Sequence, residues 1–245
     1  MQNPECWVAS KFQPAGSVWR ATRDRALVGA GSRLYVELLA GVLCAEISKH
    51  AHGRLADLGC GDVPLYGMYK DRVSEVVCVD WSQSRHRTSH IDFECDLNQP
   101  LPFEADSFDT LILSDVLEHL CEPDALWREL SRILRPDGRV LCSVPFFYWL
   151  HESPHDYYRY TEYALRRFAK NSSLKVFELI PIGGSIEVMT DLLAKHLALL
   201  PALGEPLALA VQTFVLYWSR SRAGRRTIVK TARYIPLGYL MVAGR

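Results

Sequence analysis

The stretch Arg54-Leu-Ala-Asp57-Leu-Gly59-Cys60-Gly61-Asp62-Val63-Pro64 reads as an apolar strand that ends on a carboxylate, enters two glycines, and leads into a helix near Pro64. Glycines at that point let the backbone turn tightly and come close to a ligand. A Gly-x-Gly after a strand is weak alone. It gains weight from Asp80, which ends the next strand 21 residues after Gly59, where a carboxylate accepts both hydroxyls of a ribose. A nicotinamide dinucleotide, and with it an oxidoreductase, calls for a third glycine where Pro64 stands. Asp62 would also set a negative charge beside its pyrophosphate. A nucleoside without phosphates fits this loop better.

Working outward, short apolar or β-branched runs alternate with helix-like segments, the pattern of strand-helix-strand units and a largely parallel sheet. Strands are expected at 54–58, 75–79, 91–95, 108–113, 139–144, 174–179 and 237–242. Between the fourth and fifth, Pro123 suits a first helical turn, and Leu126, Leu130 and Ile133 recur at helical spacing. Arg135-Pro-Asp-Gly138 should stop that helix and turn the chain into the next strand. Leu34, Leu38, Leu39 and Val42 form one apolar helical face upstream.

The 245 residues are 49% hydrophobic and 23% charged, which describes a globular protein with ample core. The 28 basic and 28 acidic residues balance, but not evenly: residues 51–170 carry 13 basic against 20 acidic groups, and 171–245 carry 9 against 4. An acidic centre repels polyanions, so nucleic acid is not the expected partner. It suits a neutral or cationic small molecule. Seven scattered cysteines without a C-x-x-C pair read as small buried residues of a reducing compartment, not a zinc site. Met1 to Lys11 carries no secretory pattern, so a cytoplasmic location is expected. No Gly-x-Ser-x-Gly elbow supports hydrolase chemistry.

With these pieces in order, the sequence resembles the class I S-adenosylmethionine-dependent methyltransferases, in particular the small-molecule branch of the ubiquinone and menaquinone biosynthesis type. The matching residues are Asp57 to Gly61, Asp80, Asp96-Leu97, the run from Leu101 to His119 that contains Ser114-Asp-Val-Leu-Glu-His119, and Leu134-Arg-Pro-Asp-Gly138. Asp57 taken alone would pass for a helix cap and Asp96 for a turn residue; it is the joint spacing that argues otherwise. The resemblance implies a Rossmann-like, doubly wound seven-stranded sheet with the last strand antiparallel. It also implies S-adenosyl-L-methionine as cofactor. Asp57 with the backbone of Gly59, Cys60 and Gly61 would face its methionine part, Asp80 the ribose, and Trp81 one face of the adenine. Asp96 and the Leu97 amide would meet the adenine edge, and Ser114 the sulfonium side. Val63 departs from the pattern, because relatives often have another glycine there. Ser114-Asp-Val-Leu also lacks the Asn/Asp-Pro-Pro-aromatic element of nucleic-acid amino methyltransferases.

A second informative run, Pro145 to Thr161, follows the fifth strand, beyond whose carboxyl end ligands of open α/β sheets bind. It resembles a His-Glu-x-Pro-His-Asp-Tyr-x-Arg-Tyr-Thr segment found in methyltransferase-like proteins. Its aromatics, histidines and charges would wall an acceptor site, with Phe147, Tyr158, Arg159 and the upstream His119 lining it. The competing reading is a structural lid, with Thr161 capping a helix and Arg159 paired to a carboxylate. Methyl transfer to a hydroxyl benefits from proton removal. His151 and His155 have suitable intrinsic pKa values, and Asp156 is placed to orient one of them. Pro154 argues against a metal held by His151, His155 and Asp156, and no metal is expected.

The expected organisation is one methyltransferase domain, with an N-terminal helical cap (1–52), a cofactor-binding core (53–183), a helical insertion (184–234) and a last strand (235–245). The expected activity is methyl transfer to oxygen of a hydroxylated small molecule; carbon or nitrogen methylation and a noncatalytic S-adenosylmethionine-binding scaffold are the alternatives. In residues 192–233 an apolar, proline-broken segment precedes six basic residues. The longest uncharged run there, Pro206 to Ser219, is 14 residues against the ~20 needed to cross a bilayer. Packing over the sheet or against a second copy in a homodimer is the expected role, and peripheral contact with an anionic membrane the competing one.

Overall fold

The computed structural model describes residues 1–84 and 88–245. In chain order the elements are a hairpin of β1 (Phe12–Ala15) and β2 (Val18–Ala21), α1 (Arg33–His50), β3 (Arg54–Leu58), the single turn α2 (Tyr66–Tyr69), β4 (Glu75–Asp80), β5 (Phe93–Glu94) and β6 (Phe108–Ser114). There follow α3 (Pro123–Ile133), β7 (Leu134–Pro145), α4 (Glu162–Asn171), β8 (Lys175–Ile182), α5 (Ser185–Ala198), α6 (Gly204–Ser219), α7 (Arg222–Thr231) and β9 (Gly238–Gly244). Contacts group the chain into two compact units. One is Met1–Ala9, Ala45–Ile180 and Tyr239–Arg245; the other is Ser10–Cys44 and Pro181–Gly238.

Seven strands form one sheet in the order β5-β4-β3-β6-β7-β9-β8. Its first five strands pair in parallel, and the last strand runs antiparallel. This is the expected doubly wound, Rossmann-like sheet. From β3 the chain winds outward to β4 on one side, and β6 then starts the other half. The switch point therefore lies at the carboxyl ends of β3 and β6, where open α/β sheets hold their ligands. Asp57, Asp80 and Ser114 all lie at that end of their strands.

The sequence pattern explains why these elements form. α3 begins on Pro123, where the missing N–H costs nothing, and buries Leu126, Trp127, Leu130 and Ile133 on one stripe. α4 is capped by Thr161, whose hydroxyl accepts from Ala164 N, and buries Leu165, Phe168 and Ala169. Trp127 stacks on Phe168 with ring planes 5° apart. Both belong to a core with Leu58, Val79, Phe108, Leu111, Val140 and Met241.

Several local expectations are corrected. The helix expected near Pro64 begins at Tyr66 and lasts one turn, and the third sheet strand shrinks to Phe93–Glu94 at the sheet's edge. Arg135 to Gly138 does not precede its strand: β7 starts at Leu134 and absorbs the turn as an irregularity, with Leu134 opposite Phe108, Arg139 opposite Thr110, and Asp137 at φ +64°. The N-terminal segment holds a hairpin ahead of its helix, turning at Gly16 with φ +67°. Of the cysteines, Cys60, Cys78 and Cys142 are buried, whereas Cys6 and Cys121 are exposed. Segment 192–233 forms parts of three helices, and no helix among the described residues is long and apolar enough to cross a membrane.

Candidate active site

The loop after β3 is shaped by three left-handed residues, Gly59 (φ +71°), Gly61 (φ +53°) and Val63 (φ +50°). At Gly59 a side chain has no room, since a Cβ would lie 2.6 Å from Val116 Cγ2. Val63 is the unusual member, because a β-branched residue in this region is strained by about 1–3 kcal/mol. Its surroundings hold it there: the side chain is fully buried with Cys60 and Cys78, and Trp7 Nε1 donates to its carbonyl at 3.0 Å. The loop thus holds Val63 on a path that glycine would follow without strain.

Two carboxylates line this loop from within. Asp57 is 3% exposed and accepts from Tyr69 Oη at 2.8 Å. Burial pushes its carboxyl up, the Tyr69 hydrogen bond partly opposes this, and the neighbouring charge of Asp80 adds to the rise, leaving it at about 7. Asp80 accepts from Gly61 N at 2.9 Å on one oxygen and from Trp81 N at 2.7 Å on the other. It therefore fixes the loop as well as presenting a charge. The hydrogen bond with Cys78, then burial and the neighbouring acids, push the Cys60 thiol up, away from the thiolate form. Asp96 folds into a turn, with Oδ1 accepting from Asn98 N and Nδ2, both at 2.9 Å, while the Leu97 side chain is buried. Ser114 Oγ lies 3.1 Å from Ser143 Oγ, which donates to Asp115 Oδ1 at 2.9 Å.

The segment after β7 folds back onto the short turn Leu117–His119. Tyr157 N and Tyr158 N donate to Glu118 O at 2.9 and 3.3 Å, Tyr160 Oη donates to Leu117 O at 3.0 Å, and Tyr158 Oη to Cys121 O at 3.2 Å. His119 Nδ1 lies 2.7 Å from His155 O. Because a carbonyl only accepts, that nitrogen carries the proton and Nε2 has the open lone pair in the neutral ring. His151 Nε2 and His119 Nε2 each lie 3.7 Å from Glu118 Oε1. Glu118 itself is fully buried, and among the described residues neither of its oxygens meets a hydrogen-bond partner.

Asp156 sits behind His151: Oδ2 accepts from His151 N at 2.9 Å and lies 3.3 Å from Nδ1, too poorly aligned for a hydrogen bond to that ring nitrogen. Burial of Asp156 works upward, but two hydrogen bonds from Arg159 and one from His151 N hold its carboxyl at about 2. Burial, then the adjacent His119, keeps His151 below the usual imidazole value, so it is neutral at pH 7.

Other candidates stand elsewhere. Arg159 grips Asp156 with both Nη atoms at 2.5 and 2.8 Å and also reaches the carbonyls of Tyr148, Trp149 and Tyr158. It braces the lid rather than offering a free charge to an acceptor. The His155 ring meets Trp81 edge-on at 5.1 Å, and its Nδ1 lies 3.0 Å from Tyr157 Oη, so it stands with the expected adenine wall and away from His151's carboxylate pair. Phe147 contacts Phe146 edge-on at 5.2 Å. Two residues of the candidate site were not singled out from sequence. Glu118 had a signal, its adjacency to His119, whereas Tyr69 had none.

A carboxylate pair at the turn of β3 and β4 fits a cationic nucleoside and opposes a pyrophosphate. Comparison with known proteins agrees. Residues 56–142 match the methyltransferase domain family. A ubiquinone biosynthesis O-methyltransferase of Parvibaculum lavamentivorans is 25% identical over 100 residues, 37% of this chain and 40% of that protein. The ubiquinone/menaquinone biosynthesis C-methyltransferase UbiE of Rubrivivax gelatinosus is 30% identical over 138 residues, 45% of this chain and 53% of its own. The chain thus spans about half the length of these curated relatives, or less. A geranyl diphosphate methyltransferase solved in complex with S-adenosylmethionine superposes with a TM-score of 0.55, covering 91% of this chain and 93% of the other at 16% identity, which is a likeness of fold.

Proposed function

We propose, from the premise that this chain carries a class I S-adenosylmethionine-dependent methyltransferase core matched over residues 56–142, that it transfers a methyl group to an oxygen of a small molecule. When bound, S-adenosylmethionine supplies an electrophilic methyl group. The rest is the work of the chain. Asp57 and the backbone of Gly59 to Gly61 receive the cationic amino-acid part, Asp80 the ribose hydroxyls, and Trp81, Asp96 and Leu97 the base, with Ser114 toward the sulfur. The relatives' names divide between O- and C-methylation. What favours oxygen here is the convergence of His119 and His151 on Glu118 beside the end of β6. Burial, then the neighbouring charge of Asp115, raises Glu118 above the usual carboxylate range, which favours its protonated form while no cation is bound. A carboxyl holding one proton can satisfy one of the two imidazoles, which leaves the other to accept the proton of the acceptor hydroxyl. The lid, braced by Arg159, excludes water from that exchange. A panel of hydroxylated, aminated and carbon-acid metabolites, incubated with methyl-labelled cofactor and read by mass spectrometry, should show label on oxygen; label on carbon or nitrogen alone would defeat this reading.

The pH dependence of binding follows from Asp57. Its carboxyl is held at about 7 without ligand, and a ligand ammonium favours the ionised form. Binding therefore expels a proton below that value and not above it. S-adenosylhomocysteine affinity should rise as pH climbs from 5 to about 7 and then level off. Calorimetry at pH 6 in buffers of different ionisation heat should report release of up to one proton; no release there would show that Asp57 is already ionised or does not meet the ligand.

A further inference from the structure

We propose that Glu118 Oε1, His119 Nε2 and His151 Nε2 form a binding site for one divalent transition-metal cation. The proposal deepens the function above and rests on it for one point, that the methyl acceptor meets this cluster. The three ligand atoms lie within 4.8 Å of one another. Both Nε2 atoms stand 3.7 Å from Glu118 Oε1. Ligands bonded at 2.0–2.2 Å to one tetrahedral cation stand roughly 3.4 Å apart, so on loading each imidazole must approach Glu118 Oε1 by about 0.3 Å.

Two independent observations support an occupant. Glu118 is fully buried with both oxygens lacking a hydrogen-bond partner among the described residues, and a buried carboxyl without partners is costly unless something joins it. The imidazoles are also oriented from behind in the manner of metal ligands. His119 Nδ1 donates to His155 O at 2.7 Å, and His151 Nδ1 faces Asp156 Oδ2 at 3.3 Å, with Asp156 locked by Arg159. The His119 Nδ1 donation fixes that ring's tautomer and turns its Nε2 lone pair inward, whereas His151 Nδ1 makes no hydrogen bond among the described residues and its ring is oriented by the Asp156 charge and by the bond from His151 N to that carboxylate. Two imidazoles and one carboxylate suit a borderline cation such as Zn²⁺, Mn²⁺ or Co²⁺ better than Mg²⁺ or Ca²⁺, which prefer oxygen ligands. Loading a cation displaces the Glu118 proton and occupies both Nε2 lone pairs, so that the cation, at a position left open for an oxygen of the acceptor, loosens the hydroxyl proton in place of an imidazole base.

A second grouping, Glu46, His50 and Glu178, has similar donors but already holds an ammonium: Lys49 Nζ lies 2.6 Å from Glu46 Oε1 and 3.7 Å from Glu178 Oε2. It serves as the control.

Chelator-stripped full-length protein, titrated with Zn²⁺ by calorimetry and with Co²⁺ by visible spectroscopy, should bind one cation per chain with a tetrahedral or five-coordinate cobalt spectrum. Glu118→Gln and His151→Ala should each weaken binding at least about 100-fold. Asp156→Asn should weaken it about 10- to 100-fold through loss of orientation, and His50→Ala should change nothing. Thermal unfolding of Glu118→Gln, an isosteric change, establishes that the variant is folded. Absence of stoichiometric uptake by the wild type, or unchanged uptake by folded Glu118→Gln, would overturn the site. S-adenosylhomocysteine binding in the same samples separates the two claims: a protein that binds the nucleoside but no cation refutes the metal and leaves the methyl-transfer reading intact.

Discussion

His151→Ala is expected to lower the rate of methyl transfer about 10²- to 10⁴-fold while S-adenosylhomocysteine binds as it does to the wild type. The separation follows from where the residue sits. Its ring faces Glu118 and His119, on the lid side of the β6 end, and it makes none of the contacts that shape the loop of Asp57 to Val63. Burial and the neighbouring His119 keep it neutral at physiological pH, which is the form that accepts a proton or ligates a cation. Its loss is therefore felt where the acceptor is activated, not where the nucleoside is held. Asp156→Asn removes only the orienting charge behind the ring and should cost less, about tenfold. The pH profile distinguishes a chemical from a structural role. The wild type should lose rate as His151 protonates on the acid side, and this limb should disappear with the imidazole. Full turnover by His151→Ala on the true acceptor would remove the residue from the chemistry.

Asp80→Ala should weaken S-adenosylhomocysteine binding by about 10- to 150-fold, corresponding to the roughly 1.5–3 kcal/mol of a charge-assisted hydrogen bond. The structure adds a second consequence. Both carboxylate oxygens already anchor backbone, at Gly61 N and Trp81 N, so the substitution also frees the glycine loop and should lower thermal stability. Removing the Asp80 charge also relieves part of what raises Asp57, whose carboxyl should then ionise at lower pH. Asp80→Asn, which keeps an acceptor oxygen, should restore part of the affinity. An Asp80→Ala protein that binds the nucleoside at wild-type strength would place the ribose elsewhere.

Most of the sheet was legible because each strand carries its own signal: apolar runs bounded by turn residues, with β3 read to the residue and β4, β6 and β8 begun within one residue of expectation. Where the signal was local and weak it failed. β1 contains Pro14 and is four residues long, so nothing in its composition separates it from a loop, and the hairpin appears only once Gly16 turns it onto β2. β5 reads as five β-prone residues, yet an edge strand pairs only where its neighbour offers backbone, here Val79 and Asp80. The site divides in the same way. Asp57, Asp80 and the glycines are fixed by one loop and its spacing. The alliance of Glu118 and His119 with His151, 33 and 32 positions further on, depends on where the lid docks, which hydrogen bonds to Leu117 and Glu118 carbonyls decide. Arg159 was read two ways, and the geometry favours the brace on Asp156.

The proposed function requires that S-adenosylmethionine, and not a dinucleotide, be the nucleoside received by Asp57 and Asp80. Calorimetry of the purified full-length protein with S-adenosylhomocysteine and, separately, with NAD and NADP tests it most directly. One S-adenosylhomocysteine per chain, with no heat from either dinucleotide, is the predicted result. Stoichiometric binding of a dinucleotide, with none of S-adenosylhomocysteine, would contradict it.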